Sequence, residues 1–248
     1  MVAMTSDERQ AQLAEAIEGL ADAEGVPVAV RHICAVCVAE LDASGVALYL
    51  SGLHALIEPV YATHLASEGL AEAQAMLGDG PAWACRAEVK EVSAPDLADP
   101  AEQRRWPLFA GAAARAGLRF ALDLPVVAGG VPVAVLSIHR RWPGGLPLGH
   151  HQDARRFAAL IRSLLLEHAT PDASDTDRNP LDRIFSGRLH TRWTKVHQAS
   201  GIAAAQLGTD MTEALLRLRA TALATGRALP DVADEVLTGA RSYQSDRG

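Results

Sequence analysis

The feature that most constrains the fold is a pair of apolar runs on either side of a short glycine turn. Residues 120–141 have the sequence FALDLPVVAGGVPVAVLSIHRR, and Ala128-Gly129-Gly130 separates the two halves. Adjacent glycines supply the left-handed backbone conformations that a tight hairpin turn needs. The segment therefore predicts two neighbouring antiparallel strands, and any fold for this chain must contain them.

The other elements are predicted from hydrophobic spacing and from turn signals. Leu13, Ile17 and Leu20 recur at helical spacing and predict a helix over 6–23. The apolar run SGVALYLSGL at 44–53 is typical of a strand. The remaining predictions are a helix over 27–41, a strand at 57–64, a helix or loop over 65–88 with a turn at Gly78-Asp79-Gly80-Pro81, a short strand and turn at 91–97, and helices over 101–117 and 151–168.

Composition and one polar segment indicate two domains. The chain has 248 residues, a net charge of −7 and 49% hydrophobic residues, which suits one large or two smaller globular domains. Residues 170–180, TPDASDTDRNP, are polar, acidic and bracketed by prolines, as in a linker. The expected organisation is a domain over 1–169, a linker over 170–190 and a domain over 191–248.

The chain has the composition expected of a cytoplasmic protein with no membrane partner. No apolar run reaches the roughly 18 residues that a membrane-spanning helix needs. The first residues, MVAMTSDERQ, include acidic side chains where a signal peptide would have basic and then apolar ones. Three cysteines, an odd number, do not make a disulfide framework.

Candidate ligand-binding and catalytic patterns in the first domain are weak. Cys34 and Cys37 form a CxxC pattern beside His32, which fits either a redox or metal site or two small apolar residues in a core helix; the second interpretation is favoured. The lone Cys85 is expected to be structural. His54, His64, His139, His150 and His151 lack metal-ligand spacing, and Gly78-Asp79-Gly80 is more typical of a turn than of a phosphate loop. We expect no metal, no cofactor and, without a nucleophile-elbow or kinase motif, no enzymatic activity.

The C-terminal region has the pattern of three short helices. The first is predicted over 194–207 and ends at Gly208. Asp210 is expected to cap the second, with Glu213 in a variant capping box and Gly226 at its C-terminal end. The third is expected to begin near Pro230, a residue favoured in the first helical turn, and to end near Gly239.

Charge in this region permits two interpretations. From Thr191 onward there are seven Lys/Arg and six Asp/Glu, a net +1, which leaves −8 for the rest of the chain. Lys195 and Gln198 share one helix face, as do Arg217 and Thr221. Cationic side chains with small residues between them permit close approach of a nucleic-acid backbone or a splayed base. The alternative is a set of solvated helix faces, which charge alone favours.

A family resemblance favours the first interpretation. The segment 196–237 is similar to the pattern of the ANTAR family, and the matching residues are Ala199, Gly201, Glu213-Ala214, Leu218-Arg219, Ala222, Arg227, Leu229 and Val232-Ala233, within about one fifth of the chain. The resemblance implies a transcription antitermination regulator that binds RNA with two hairpins whose loops have about six nucleotides, and that prevents terminator formation. It also implies a homodimer that presents two such domains.

The resemblance carries over a set of expected RNA contacts. They are Lys195, Gln198, Ala199, Ile202, Arg217, Arg219, Thr221 and Arg227. Two of them have structural alternatives, since Ile202 also fits a core position and Arg219 also fits a brace between helices. Arg241 and Tyr243 are expected to extend the surface by charge and stacking.

Residues 1–169 resemble a GAF domain in element order, in VALYL and in FALDLPVVAGGVPVAVLSIHR. The expected fold is therefore an α/β GAF-like domain, an antiparallel sheet with helices, followed by an all-α three-helix ANTAR-like domain. GAF domains bind small molecules or mediate dimerisation, so an unknown small-molecule ligand is a further expected partner. Phe157, Leu160, Ile161 and Leu164 fit either a dimer seam or a cover for the sheet. The alternative function is a small-molecule or redox sensor whose C-terminal helices bind a protein.

Overall fold

The computed structural model of the protein describes residues 5–51, 57–168, 184–185 and 187–243, in two compact units that divide between Ser186 and Gly187. The described strands of the first unit are β1 (Gly45–Ser51), β2 (Ile57–Ala62), β3 (Val92–Ala94), β4 (Phe120–Ala128) and β5 (Val131–Arg140). Its described helices are α1 (Ser6–Glu24), α2 (Val30–Glu40), α3 (Leu65–Leu77), α4 (Pro81–Glu88), α5 (Pro100–Arg105), α6 (Pro107–Arg115) and α7 (Leu148–Glu167). The described helices of the second unit are α8 (Arg188–Leu207), α9 (Met211–Thr225) and α10 (Leu229–Leu237).

The strands form one antiparallel sheet with the order β2-β1-β5-β4-β3. Strands β4 and β5 are the predicted hairpin, in which Ala128 pairs with Val131. Gly129 and Gly130 between them have φ values of 57° and 83°, which a residue with a side chain adopts only with strain. The predicted α/β domain with an antiparallel sheet is confirmed.

Helices cover both faces of this sheet. Successive side chains along a strand point to opposite faces, so β4 directs Leu122 and Leu124 to one face and Ala121 to the other. The leucine face packs against α1, α2 and α7, whereas the second face packs against α3, α4 and α6. Both faces of the central strands are therefore buried.

Helix α7 contributes its apolar side chains to the first core. Phe157 and Ile161 are fully buried there, Leu164 is nearly so, and Leu160 packs partly buried against the same cluster. Of the two interpretations offered for this helix, the cover for the sheet is the one that its packing bears out.

The region over 101–117 is helical, as predicted, but it is divided into two helices. Helix α5 ends at Arg105 and α6 begins at Pro107. Proline has no N–H to donate and forces the residue before it away from helical geometry. Trp106 accordingly has φ −136° and ψ 72°, which breaks the helix between the two segments.

The predicted turn at 78–81 is confirmed. Gly78 ends α3 in a left-handed conformation (φ 65°), and Pro81 begins α4. The Asp79 carboxylate accepts hydrogen bonds from the N–H groups of Leu108 and Phe109 at 2.9 and 3.0 Å, and so caps α6 from a distant part of the chain. The turn therefore serves the packing of the domain.

The expected linker over 170–190 is shorter at its C-terminal end. Residues 169–183 and 186, which include the polar segment 170–180, lie outside the described residues. Ile184 and Phe185 are buried in the core of the first unit, where the Ile184 carbonyl accepts the Val30 N–H at 3.3 Å. Helix α8 begins at Arg188. The predicted linker end at 190 is wrong because apolar side chains near it are buried in the two units.

The second unit has the expected helices and caps. Asp210 Oδ1 accepts hydrogen bonds from the N–H groups of Thr212 and Glu213 at 2.8 and 2.9 Å, and Gly208 and Gly226 end α8 and α9 with φ 67° and 64°. Helix α8 starts six residues before the predicted Thr194, since its buried face continues back through Trp193 and Leu189. Other buried residues of the unit are Val196, Ala203, Ala214, Leu215, Leu218, Ala222, Leu229, Val232, Ala233 and Val236.

None of the helices in the described part of the chain combines the length and the apolar composition that crossing a bilayer requires.

Gly80 is predicted to contribute to the stability of the first unit. Its φ is 129°, and a Cβ there would lie 2.4 Å from Gln74 Oε1. That oxygen already accepts the Ala82 N–H at 3.0 Å, while Gln74 Nε2 donates to the Tyr49 hydroxyl at 2.9 Å. Gly80→Ala should therefore lower the free energy of unfolding, measured in urea, by about 1–3 kcal/mol from backbone strain alone.

Gly19 provides the matched control. It lies within α1, has no positive φ and has nothing within 4 Å of an added Cβ. Gly19→Ala should raise the free energy of unfolding by up to about 1 kcal/mol. Equal stability of the Gly80→Ala variant and the unaltered protein would contradict the role assigned to Gly80.

Candidate functional site

One face of α8 carries three of the expected contact residues. Lys195, Gln198 and Ile202 recur at intervals of three and four, and Gln206 continues the series, so the four side chains form one stripe along the helix. Gln198 is exposed, and Ile202 is 39% exposed. The alternative that placed Ile202 in the core is therefore wrong.

Helix α9 carries the second part of the expected surface. Arg217 is exposed, and its Nε donates to Glu213 Oε1 at 2.9 Å, one turn earlier on the same helix. The Thr221 hydroxyl donates to the Arg217 carbonyl at 2.9 Å. Arg217 and Thr221 thus share a face, as predicted from their spacing of four.

Tyr243 joins these two stripes. Its backbone N–H donates to Gln206 Oε1 at 2.8 Å, and its hydroxyl donates to Thr221 Oγ1 at 2.8 Å. Its ring packs against Ala203, Ala204 and Ala214. The side chains of Lys195, Gln198, Ile202, Gln206, Arg217, Thr221 and Tyr243 are hereafter called the α8–α9 surface.

Two expected contact residues are not on any surface. Ala199 is fully buried, and Arg219 is only 7% exposed. Helix geometry explains why these two residues are buried while their neighbours are exposed. Ala199 lies about 100° round the helix from Gln198, one residue earlier. Arg219 lies about 200° round the helix from Arg217, two residues earlier. Both therefore point into the unit, and Arg219 fits the alternative role of a brace between helices.

Acidic residues of α10 pair with cations near this surface. Lys195 Nζ lies 2.9 Å from Asp234 Oδ1, and Arg192 Nη2 lies 3.7 Å from Asp231 Oδ1. These two pairs are one helical turn apart. The surface expected to be basic is thus largely neutralised by the unit's own carboxylates.

The Glu235 carboxylate serves two further cations. It contacts Arg227, an expected RNA contact, and accepts from Arg241 Nε at 2.8 Å. The Arg227 guanidinium, followed by that of Arg241, lowers the pKa of Glu235 below its ordinary value. Arg227 and Arg241 therefore lie against α10 and project toward its acidic side.

Exposed leucines on α9 were not expected. Leu216 and Leu223 are 50% and 51% exposed and lie seven residues apart, two turns along one face. The segment TEALLRLRATAL contains one adjacent leucine pair, Leu215-Leu216, and only one leucine of that pair can face the core. That doubling is the sequence signal for a second apolar face.

The first unit contains a buried polar cluster that the sequence patterns did not identify. Asp123 of β4 and Ser137 of β5 are cross-strand partners, and Ser137 Oγ lies 2.8 Å from His139 Nε2. All three are fully buried. The sequence signal for this cluster is Asp123, a single acidic residue within the apolar run FALDLP. We call Asp123, Ser137 and His139 the buried polar cluster.

Burial shifts both titratable groups of this cluster toward their neutral forms. It raises the pKa of Asp123 to about 7, a rise that the Ser137 hydroxyl opposes. It lowers the pKa of His139 to about 4, with a further contribution from His64. Between these values the cluster is uncharged, as a low-dielectric interior requires.

The cysteines occupy core positions. Cys34 and Cys37 are fully buried in α2, and burial raises the pKa of both thiols. His32 Nδ1 accepts the Ala29 N–H at 3.0 Å, which caps the start of α2. No group of three or more metal-ligating side chains occurs among the described residues, and His54 lies outside them. The core interpretation of the CxxC pattern is the one that these positions bear out.

Comparisons with known proteins find likeness to solved structures only. No sequence profile of a known family matches the chain, and no curated protein is significantly similar to it. It is similar to the GAF domain of an Acinetobacter phosphoenolpyruvate-protein phosphotransferase, with 10% identity, 68% of this chain and 99% of that chain covered, and a TM-score of 0.48.

Two further GAF domains show the same kind of likeness. One is from the phosphoenolpyruvate-protein phosphotransferase of Coxiella burnetii, with 13% identity, 65% and 99% coverage and a TM-score of 0.42. The other is from a two-component sensor histidine kinase of Bacillus halodurans, with 12% identity, 54% and 92% coverage and a TM-score of 0.38. No activity is transferred from these proteins, because the identities and scores are low.

Replacing Asp123 should change how stability depends on pH. The raised pKa of Asp123 contributes stability that is complete below pH 3.8 and is lost as the pH rises to about 7. The lowered pKa of His139 contributes stability that is complete above pH 6.5 and is lost as the pH falls to about 4. The two trends oppose each other between pH 4 and 6.5. Asp123→Asn removes the Asp123 trend and leaves that of His139. The free energy of unfolding of this variant should therefore fall by up to about 3 kcal/mol as the pH decreases from 6.5 to 4. At pH 8 it should exceed that of the unaltered protein by as much as about 4 kcal/mol.

Urea unfolding of both proteins from pH 4 to 8 measures this difference. Parallel profiles for Asp123→Asn and the unaltered protein would show that the pKa of Asp123 is the same in the folded and unfolded states.

Proposed function

We propose that this chain is an RNA-binding transcription antitermination regulator. Its second unit, an ANTAR-like domain, contacts the loops of a dual-hairpin RNA through the α8–α9 surface. The observation that carries the proposal is the link made by Tyr243, which joins polar and cationic side chains of two helices into one exposed surface. Bases in RNA loops are unstacked and accessible, whereas the deep major groove of a stem excludes side chains.

The side chains of the surface suit distinct parts of an RNA loop. The Gln198 amide carries both a donor and acceptors for a base edge. Exposed Ile202 offers an apolar contact to a base plane. Lys195 and Arg217 suit phosphate oxygens, which position RNA without selecting its sequence.

The acidic partners of these cations are compatible with RNA binding. The side chains of Lys195 and Asp234 are 43% and 50% exposed, and an exposed ion pair is worth only about 0–1 kcal/mol. A phosphate group can therefore replace the carboxylate. Binding would then begin with the exchange of Asp234 for a phosphate at Lys195.

The first unit is proposed to be a GAF-like regulatory domain that supports a homodimer. Two RNA loops require two copies of the second unit, and a dimer supplies them. A small-molecule ligand of this domain would link RNA binding to a signal. Its buried cysteines do not support a redox role, because burial disfavours the reactive thiolates.

A second candidate function is protein binding by the second unit. Exposed Leu216 and Leu223 favour it, since apolar side chains on one helix face are typical of protein interfaces. Leu216→Ser combined with Leu223→Ser separates the two functions. The double variant should keep its RNA affinity under the first proposal and lose a protein partner under the second.

The test of RNA binding is a selection with the full-length protein. The RNA pool holds two fixed hairpin stems with randomised loops of about six nucleotides. A control pool has the same composition, with the randomised positions base-paired. Enrichment of defined loop sequences from the first pool only is the expected result. If both pools are retained equally, or neither is retained, the second unit does not recognise hairpin loops.

Removing either cation of the α8–α9 surface should weaken binding to the selected RNA. Lys195→Ala and Arg217→Ala should each raise the dissociation constant roughly three- to tenfold. Each should also reduce the slope of log affinity against log salt concentration by about one, the value for one phosphate contact. Arg104→Ala is the control, since Arg104 is an exposed arginine of α5 in the first unit. Equal losses in all three variants would indicate non-specific attraction.

Neutralising the acid beside Lys195 should have the opposite effect. Asp234→Asn keeps the shape of the side chain and releases Lys195 from its 2.9 Å ion pair. RNA affinity should rise several-fold at low salt, since one unit of repulsion toward phosphate is removed. Fluorescence anisotropy with the selected RNA measures the change. An unchanged or weaker affinity would mean that phosphate does not approach α8 at Lys195.

A further inference from the structure

A groove lies beside the outer edge of β4 in the first unit. Strand β3 pairs with β4 only from Ala121 to Asp123, so the edge of β4 beyond Asp123 has no neighbouring strand among the described residues. Helix α7 and the residues that follow α4 border this edge. The cavity between them has a volume of about 320 Å³. We call it the α7–β4 groove.

The groove has an apolar floor and a cationic rim. Val126 and Ala158 line the floor and are largely buried. The rim carries Lys90, Arg155 and Arg162 with a single carboxylate, that of Glu91. Three cations and one acid face a cavity in a chain whose overall charge is −7.

Two of these cations have no acidic partner within the part of the chain that the structure describes. Arg155 Nη2 donates to Glu91 Oε2 at 2.9 Å, so that pair is internally balanced. The side chains of Lys90 and Arg162 are exposed and have no hydrogen bond or ion pair to any residue in the described parts of the chain. The groove therefore presents two uncompensated positive charges above an apolar floor.

Backbone strain occurs beside Lys90. Val89, at the end of α4, has φ 52° and ψ 42°. A β-branched residue is strained in this left-handed region, and such strain is concentrated at functional positions. Here it turns the chain sharply out of α4 and brings the Lys90 position to the rim.

The open edge of β4 is a poor site for an added strand. Pro125 lies in the groove and has no N–H to donate. A proline within a strand is tolerated where that missing N–H would face outward, away from the neighbouring strand. The edge therefore lacks a donor that an extended peptide would need. A compact molecule fits this groove better than a peptide strand does.

We propose that the α7–β4 groove binds a small amphipathic anion. Lys90 and Arg162 hold its acidic group, and Val126 and Ala158 contact its apolar body. Guanidinium and ammonium groups make their strongest hydrogen bonds with such anions, and the volume lies in the range of small-molecule sites. The site shares no residue with the α8–α9 surface. It specifies the kind of ligand, a small anion, that the proposed regulatory role of the first unit requires.

Isothermal titration of the full-length protein tests this site with octanoate as the probe. Octanol, which has the same apolar body without the charge, and inorganic phosphate, which has charge without the body, are the controls. Saturable binding of octanoate is expected, with no measurable binding of either control. Absence of octanoate binding, or equal binding of octanol, would overturn the proposal.

Variants locate the binding. Lys90→Ala and Arg162→Ala should each weaken octanoate binding roughly three- to tenfold, because each removes one charge-assisted contact. Arg104→Ala, on the exposed face of α5, should leave it unchanged. Octanoate affinity that is the same in all three variants would place the ligand elsewhere, and tighter binding of an acidic peptide than of octanoate would replace the small anion with a peptide.

The RNA selection and the octanoate titration use different residues. A negative result in one therefore leaves the other interpretable, so the failure of this site and the failure of the proposed RNA function can be told apart.

Discussion

Burial of both faces of the antiparallel sheet is the constraint on which the first unit depends. A sheet with one solvated face can place polar side chains on that face at no cost. Here helices cover each face, so the inward positions along β1, β4 and β5 are apolar, small or uncharged, with Arg140 at the end of β5 as an exception. Burial accordingly favours the uncharged forms of Asp123 and His139 in the buried polar cluster. The same constraint fills the second face with small residues such as Ala47 and Ala121.

The second unit is organised differently, around a single helix. Helix α8 packs one side against α9 and α10 through Val196, Ala199 and Ala203, and leaves its opposite side exposed. A small unit of three helices buries little apolar surface. Polar contacts therefore matter more here than in the larger unit: Tyr243 ties α8 to α9, and acids of α10 hold cations of α8.

Much of this architecture could be predicted because it depends on local chemistry. The hairpin was predicted from Gly129 and Gly130, and the ends of α9 were predicted from Asp210 and Gly226, whose effects act within one turn of the chain. The break at Trp106 is also local, and Pro107 was its signal. The two-sided pattern of β4 and β5 was visible as apolar runs, whereas the role of Asp123 within one of them was not.

What could not be predicted depends on contacts between distant residues. Spacing places Lys195 and Gln198 on one face, but it does not reveal that Asp234, nearly forty residues later, lies beside Lys195. Likewise, Arg219 has the charge of a surface residue, and only the packing of the three helices shows that it is buried. Ile184 and Phe185 follow a polar segment and still reach the core of the first unit.

The carboxylates of α10 have a consequence for how such a protein would find its target. Cells hold a large excess of ribosomal and transfer RNA, and a strongly cationic domain would be sequestered by it. A domain that neutralises its own cations has little attraction for an arbitrary polyanion. Under the proposed RNA-binding function, it would stay bound only where contacts from side chains such as Gln198 and Ile202 offset the exchange of partners. Self-pairing of charge would then shorten each unproductive encounter and leave more of the protein free to search nascent transcripts.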